Sequence, residues 1–312
     1  MGGTHQSERK SVAATRPVCD YEGSQYQAEF WDSGAREYED RVERIALQHL
    51  LPRSGSLALE IGAGSGRLTS ELHNFERVVL LDYSRTQLQQ AQERLGRSER
   101  YTYVAADVYQ LPFVAGLFDT VTMVRVIHHM VDARSALSSI RTVLRPHGAF
   151  ILEFANKRNL KSIARYLLRR QKWSPFHPDP IEFVELNFDF HPRTMGRWLK
   201  ESGFIIRTQR AVSNFRLQPL KHVVPTEVLV RADALLQPAG AWLQYSPSIF
   251  VGAAADGNGS VAAAEGEFFR CPACGSSALE TREGHLYCGA AQGCGKRWPI
   301  RNGIYDFKEP LN

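Results

Sequence analysis

The sequence predicts an α/β chain: a largely parallel sheet with helices on both faces, followed by a small module stapled by cysteines. Three observations carry this. An apolar strand runs into a glycine-rich turn at LALEIGAGSGRL, Leu57 to Leu68; strand-like runs then alternate with helical stretches as far as Phe154; and Cys271, Cys274, Cys288 and Cys294 crowd into the C-terminal region.

The first strand is Leu57, Leu59 and Ile61, with Glu60 near its end. Gly62, Gly64 and Gly66 let the backbone turn tightly into a helix expected from about Arg67. A dinucleotide fingerprint spaces its glycines G-x-G-x-x-G and seats a pyrophosphate on the helix. Here the spacing is G-x-G-x-G, and the Glu60 carboxylate would repel phosphate while suiting an ammonium group.

VVLLD ends at Asp82, where a carboxylate at a strand tip can accept two hydrogen bonds from ribose hydroxyls. A third strand leads to Asp107 and Val108 in YTYVAADVYQLPF, and the fourth is FDTVTMVRVIHHM, Phe118 to Met130. A helix over Ala136 to Leu144 and a turn at Arg145 to Gly148 introduce the fifth, Gly148 to Phe154. FDFHPRTMGRWLKESGF gives a helix closed by Gly203, FIIRTQRAV a sixth strand and SPSIFVGAA a seventh paired against it. Phe215 to Tyr245, with a helix over Thr226 to Leu236, reads as an insertion into that hairpin. Ligands of such sheets lie outside the carboxyl ends of the strands, where Glu60, Gly62, Asp82 and Asp107 all fall.

The order E-I-G-A-G-S-G, D-Y-S, A-D-V, then F-D-T-V with R-V-I-H-H resembles class I S-adenosylmethionine-dependent methyltransferases, nearest to the group containing the ubiquinone and menaquinone biosynthesis enzymes. The resemblance implies a Rossmann-like seven-stranded methyltransferase sheet. It also implies that Glu60 with the turn Gly62, Ala63, Gly64 and Gly66 holds the methionine moiety, and that Asp82 holds the ribose. Tyr83 would lie beside the adenine, with Asp107 accepting from its amino group and the Val108 N–H reaching a ring nitrogen. Arg125 stands where the family lines the methionine end, and His128 is the candidate catalytic base. The Asn/Asp-Pro-Pro-aromatic turn of adenine-N6 and glutamine-amide methyltransferases is absent after the fourth strand, which argues against those acceptors.

The chain has 312 residues and 43% hydrophobic content, enough for a sizeable core, with a net charge of +5 that singles out no partner. Residues 1–17 are polar, unlike a signal peptide, and are expected to be disordered; no run of 18 or more apolar residues suggests a transmembrane segment, so a cytoplasmic protein is expected. The methyltransferase domain is expected over 18–252. At its start, Tyr21, Tyr26, Phe30 and Trp31 could close over the cofactor or pack onto the sheet. Residues 156–245 are expected to form the acceptor-side lid. Within them, a basic helix over 157–172 carries Arg158, Lys161, Arg165, Arg169 and Lys172 opposite Leu160, Ile163, Ala164, Leu167 and Leu168. Such a face suits an anionic substrate, nucleic-acid phosphate or a membrane surface, or is simply solvated.

Residues 253–267, AAADGNGSVAAAEGE, have the composition of a flexible linker. Beyond them, over 268–312, the spacing C-x2-C-x13-C-x5-C suits a closed, structural, tetrahedral zinc site at Cys271, Cys274, Cys288 and Cys294. Disulfides are the competing reading, and Cys19 stands alone. The CPAC knuckle, the Leu286 to Cys288 run and W-P-I-R-N-G-I resemble the small zinc ribbons that activate tRNA, rRNA and release-factor methyltransferases. That family usually has two residues where this chain has five between Cys288 and Cys294. The resemblance implies a ribbon docking in cis on the methyltransferase domain. The expected function is methyl transfer to a small molecule, with RNA as the alternative acceptor and a non-catalytic S-adenosylmethionine-binding protein as the alternative of another class.

Overall fold

A computed structural model describes residues 17–24, 31, 34, 36–258, 261–289, 291 and 293–311. Tyr26 and Phe30, named above, lie outside the described residues.

Helix α1 (Glu37–Leu50) places Glu37, Glu39 and Asp40 at its N-terminal turn, where the dipole favours negative charge, and buries Tyr38, Val42, Ala46 and Leu47 at helical spacing. There follow β1 (Gly55–Ile61), β2 (Phe75–Asp82), α2 (Arg85–Leu95), β3 (Tyr101–Ala105), β4 (Phe118–Met123), α3 (Ala133–Val143) and β5 (Leu144–Ala155). Ser84 caps α2 by accepting from the Gln87 N–H, and Asp132 caps α3 by accepting from Ser135. Next come α4 (Leu160–Leu167), the hairpin β6 (Ile181–Val184) and β7 (Asn187–Asp189), and α5 (Pro192–Glu201). Strand β8 (Phe204–Val212), helices α6 (Gln218–Val223) and α7 (Thr226–Leu236) and strand β9 (Ser248–Ala255) complete this part.

Its seven strands run in the order β3-β2-β1-β4-β5-β9-β8. Strands β1 to β5 pair in parallel, and β9 lies antiparallel between β5 and β8. Both faces are covered, so the central strands read as continuous apolar runs: Leu59, Val79, Val104, Val121 and Leu152 are all fully buried.

The strands of the cysteine-rich module, β10 (Leu279–Arg282), β11 (His285–Cys288), β12 (Arg297–Arg301) and β13 (Ile304–Asp306), do not form a separate sheet. Strands β10 to β13 pair antiparallel in succession, and β13 then pairs in parallel with β3, setting Ile304 opposite Tyr103 and Asp306 opposite Ala105. The result is one eleven-stranded sheet. Docking is sealed by aromatic rings: Phe269 stacks on the buried Phe113 at 5.9 Å and lies 5.1 Å from Phe307, which is 5.6 Å from Trp298. Main-chain bonds from Val114 to Phe268 and from Arg270 to Pro112 fix the seam.

Three expectations are corrected. No α-helix follows the glycine turn: residues up to Leu68 remain in turns and only a 3₁₀ segment, Thr69–Leu72, precedes β2, because β2 begins at Phe75 and leaves too little chain. The predicted linker is only partly irregular. Its first three residues complete β9, the Ala263 N–H bonds to the Gly116 carbonyl, and Gly116 approaches so closely that a Cβ there would lie 2.1 Å from the Val261 carbonyl oxygen. The basic helix is shorter than 157–172, being helical only over α4, and its leucines point away from the body: Leu160, Leu167 and Leu168 are exposed while only Ser162 is buried.

Candidate functional site

Parallel strands bring their carboxyl ends to one edge, and a cavity opens there whose lining includes Glu60, Gly62, Ala63, Gly64, Asp82, Tyr83, Asp107, Val108 and Arg125. Gly66 lies just behind, closing the turn by donating to the Ala63 carbonyl. The glycines are required by geometry. Gly62, Gly64 and Gly66 have φ of +68°, +54° and +76°, and a Cβ on Gly62 would meet the Val126 side chain at 2.1 Å. The turn is held to β2 by the Gly62 and Ala63 N–H groups on the Leu81 carbonyl and by the Gly64 N–H on Asp82 Oδ2, 2.8 Å.

Asp82 also accepts from the Ser84 N–H at 2.9 Å, and burial raises its pKa to about 6. Glu60 accepts from the Thr69 hydroxyl at 2.5 Å, and burial raises it to about 7. Both carboxyls therefore titrate closer to neutrality than ordinary acids do, and a bound cation or hydroxyl donors would favour their ionised forms. Asp107 accepts from the Tyr109 N–H at 2.9 Å as the N-cap of a short 3₁₀ turn, Val108–Gln110.

Arg125 is placed at the cavity but is already engaged. Its Nε donates to Glu43 at 2.8 Å, Nη2 bonds the same carboxylate, and its backbone N–H, at φ +64°, donates to Glu153. Burial works against an ionised Glu43, yet Arg125 and Arg67 together hold its carboxyl below the ordinary range. A simple pairing of Arg125 with a ligand carboxylate would have to compete with Glu43. Arg67, not anticipated from the sequence, also lines the cavity; it bonds Asp40 and Glu43, and its guanidinium lies 3.7 Å from the Trp31 ring centroid. A cation directly after the glycine turn, facing acids spaced on α1, was the available signal.

Of the two adjacent histidines, His129 lines the cavity and His128 does not. His129 Nδ1 is 2.9 Å from the Leu186 carbonyl and Nε2 is 3.4 Å from the Tyr21 hydroxyl. A carbonyl at Nδ1 requires the proton there, which leaves Nε2 as acceptor. Burial lowers both histidines, His128 well below the ordinary imidazole value, and His128 Nδ1 is buried with no partner among the described residues.

The N-terminal segment forms a strap over this edge: Pro17, Cys19 and Tyr21 line the cavity, and Glu22 accepts from the Arg85 and Thr86 N–H groups. The ribbon reaches the same place. Asp306 bonds Arg85 at 3.2 Å, and Lys308 lies 4.7 Å from the Tyr83 ring and 3.4 Å from Glu22.

In the ribbon, the four Sγ atoms of Cys271, Cys274, Cys288 and Cys294 lie within 4.8 Å of one another, with the 271–294 and 274–288 pairs at 3.7 and 3.6 Å. A disulfide needs about 2.05 Å, whereas a tetrahedral zinc site with bonds of about 2.3 Å has edges near 3.8 Å. The long second knuckle closes because Gly293 packs against Cys288, where a Cβ would come within 2.3 Å of Sγ. The Cys294 N–H points at that sulfur from 3.4 Å.

Residues 59–152 match a methyltransferase domain family. A demethylmenaquinone methyltransferase of Clavibacter sepedonicus is 27% identical over 180 residues, covering 53% of this chain and 72% of that protein. A ubiquinone/menaquinone biosynthesis C-methyltransferase of Pseudomonas savastanoi is 33% identical over 125 residues, covering 38% of this chain and only 49% of that relative. Among solved structures, a chain from a complex containing the Haloferax volcanii Trm112 methyltransferase activator superposes with TM-score 0.53 at 16% identity, covering 74% of this chain and 96% of that one. The chain thus carries a methyltransferase domain, and its sheet has the fold of the S-adenosylmethionine-dependent methyltransferases.

Proposed function

We propose that this protein transfers a methyl group from S-adenosylmethionine to a small-molecule acceptor. The observation that carries the reading is the convergence of Glu60, the glycine turn, Asp82 and Asp107 on one cavity. That donor set fits the cofactor: carboxylates suit an ammonium, ribose hydroxyls and an adenine amino group, and the approach to the turn carries Glu60 instead of a phosphate partner. In this reading Glu60 and the Gly62 to Gly66 turn hold the methionine end, Asp82 the ribose, Tyr83 and Val108 the adenine faces and edge, and Asp107 its amino group. Bound S-adenosylmethionine supplies an electrophilic sulfonium methyl. The protein's share is alignment and exclusion of water by the strap and Trp31. His129 Nε2, at the cavity wall, takes the place of His128 as the group to accept an acceptor proton, once the Tyr21 hydroxyl yields it.

The acceptor class rests on the relatives, whose names specify small-molecule methylation. RNA is the second reading, favoured by the ribbon and by the cations of the acceptor side. Incubating the chain with methyl-labelled cofactor and fractionated cell extract tests both: label in small molecules supports the proposal, label in RNA replaces it, and cofactor binding without turnover supports a non-catalytic role. Asp82→Ala should abolish cofactor binding in calorimetry.

The four-thiol cluster is proposed to hold a structural zinc ion, which leaves no open coordination position for chemistry.

A further inference from the structure

Helix α4 stands out from the body on the acceptor side and exposes its apolar residues instead of burying them. Leu160, Leu167 and Leu168 are 66%, 70% and 64% exposed. The face continues across space: the Leu160 N–H bonds to the Tyr245 carbonyl at 2.9 Å, the Arg158 guanidinium lies 5.1 Å from the Tyr245 ring, and the rings of Tyr166 and Phe176 meet at 6.2 Å. Just before Tyr245, Trp242 and Leu243 are 85% and 58% exposed. Interleaved with these are Lys161, Arg165, Arg169, Arg170 and Lys172, all exposed and none in an ion pair among the described residues.

We propose that this face docks on an anionic lipid membrane. Two features must be satisfied together by its partner. Exposed leucines, Phe176 and Trp242 call for an apolar phase, and the unpaired cations around them call for a layer of negative charge. A bilayer with anionic headgroups provides both at the depths an interfacial helix samples, with lysine and arginine stems reaching back to the headgroups. Nucleic acid would neutralise the cations but gives no return for exposed aliphatic side chains, whose number here exceeds what single scattered surface residues explain. A second copy of the same face would bring like charges together. Among the described residues no helix is long and apolar enough to cross a membrane, so the contact would lie in the interface plane.

The face also adjoins the site. Helix α4 follows β5 at the carboxyl edge of the sheet, and the hairpin after Phe176 places the Leu186 carbonyl on His129. Docking would therefore set the acceptor side of the cavity against the bilayer. Membrane binding itself does not depend on the chain being a methyltransferase.

The test is co-sedimentation of the full chain with vesicles of phosphatidylcholine, alone or mixed with phosphatidylglycerol. Binding to the mixed vesicles should exceed that to neutral ones by at least about tenfold, given a contribution near fivefold per cation at an anionic surface. Leu160→Ser/Leu167→Ser/Leu168→Ser and Lys161→Glu/Arg165→Glu/Arg169→Glu should each lose about tenfold or more, with the thermal midpoint and cofactor binding unchanged. Trp242 emission should shift to the blue on vesicle addition, and Trp242→Phe should remove that shift. No partition into anionic vesicles, or partition indifferent to the leucine substitutions, would overturn the proposal. So would tight binding to an RNA oligonucleotide unaffected by those substitutions, in a chain that leaves the vesicles in solution.

Discussion

The two flanks of the sheet treat apolar surface in opposite ways. At the β3 flank the ribbon adds a parallel strand, covers the edge and packs Phe268, Phe269, Trp298 and Phe307 around Phe113. An unpaired strand edge is an aggregation hazard, and the C-terminal module moves it from β3 to the short, charged strand β10. At the other flank, α4 and the segment at Trp242 leave comparable apolar side chains in water, ringed by cations. The difference teaches that exposed apolar surface on this protein is selective: one patch has a partner attached in cis, and the other is left open for a partner that also brings negative charge. The linker has a short reach but a defined path, tied at Gly116, so the ribbon is presented to one edge only.

Removing the proposed zinc ion should break the comparison most severely. Chelation, or Cys271→Ser with Cys288→Ser, should cost the ribbon on the order of 10 kcal/mol. Metal analysis should find zinc in the native chain alone, and hydrogen exchange should show the amides of Ile304 to Asp306 losing protection; protection that persists without metal would refute the zinc assignment. Phe113→Ala should cost about 3–5 kcal/mol in urea unfolding, because the ring is fully buried between sheet and ribbon. A loss below about 1 kcal/mol would mean the aromatic seam is not holding the flank.

Between the flanks, the cavity carboxyls give a pH signature. Glu60 and Asp82 are raised to about 7 and 6, so the folded state holds their protons more tightly than the unfolded chain does. Their effect favours the fold at low pH and is lost as pH rises through those values, by about 3 kcal/mol in the case of Glu60. Thermal unfolding of the unliganded protein compared with Glu60→Gln isolates this from Glu43, whose lowered carboxyl acts in the opposite direction. Cofactor affinity should show the reverse trend, strengthening as Glu60 ionises, with proton release on binding in calorimetry. On the open flank, Leu167→Ser should change stability by no more than about 0.5 kcal/mol. A larger loss would show that the leucine packs against the body and that the patch is not open.

Much of the site was legible because each part is local. A buried parallel strand needs an apolar run, a tight turn needs glycine, and an acid at a strand tip is visible in sequence, which located Glu60, the turn, Asp82 and Asp107. What residue type does not show at the site and the linker depends on orientation or distant partners. His128 and His129 are equivalent in sequence, but on the 3₁₀ turn Ile127–His129 neighbouring side chains point about a third of a revolution apart, and His129 is the one turned to the cavity. Arg125 looked available, since Glu43 lies on α1, 82 positions earlier. The linker looked flexible, since small residues give no hint that their backbone will bond to Gly116.

By itself, then, the sequence determined the alternating strands and helices, the glycine turn, the acidic strand tips and the four clustered thiols, because backbone conformation, burial and ligand chemistry are written in residue type over short spans. Tertiary structure alone decided which histidine faces the cavity, that the ribbon becomes part of the central sheet through β13 and β3, and that the leucines of α4 face outward. Those outcomes follow from which surfaces meet, and that depends on contacts between segments as much as two hundred residues apart.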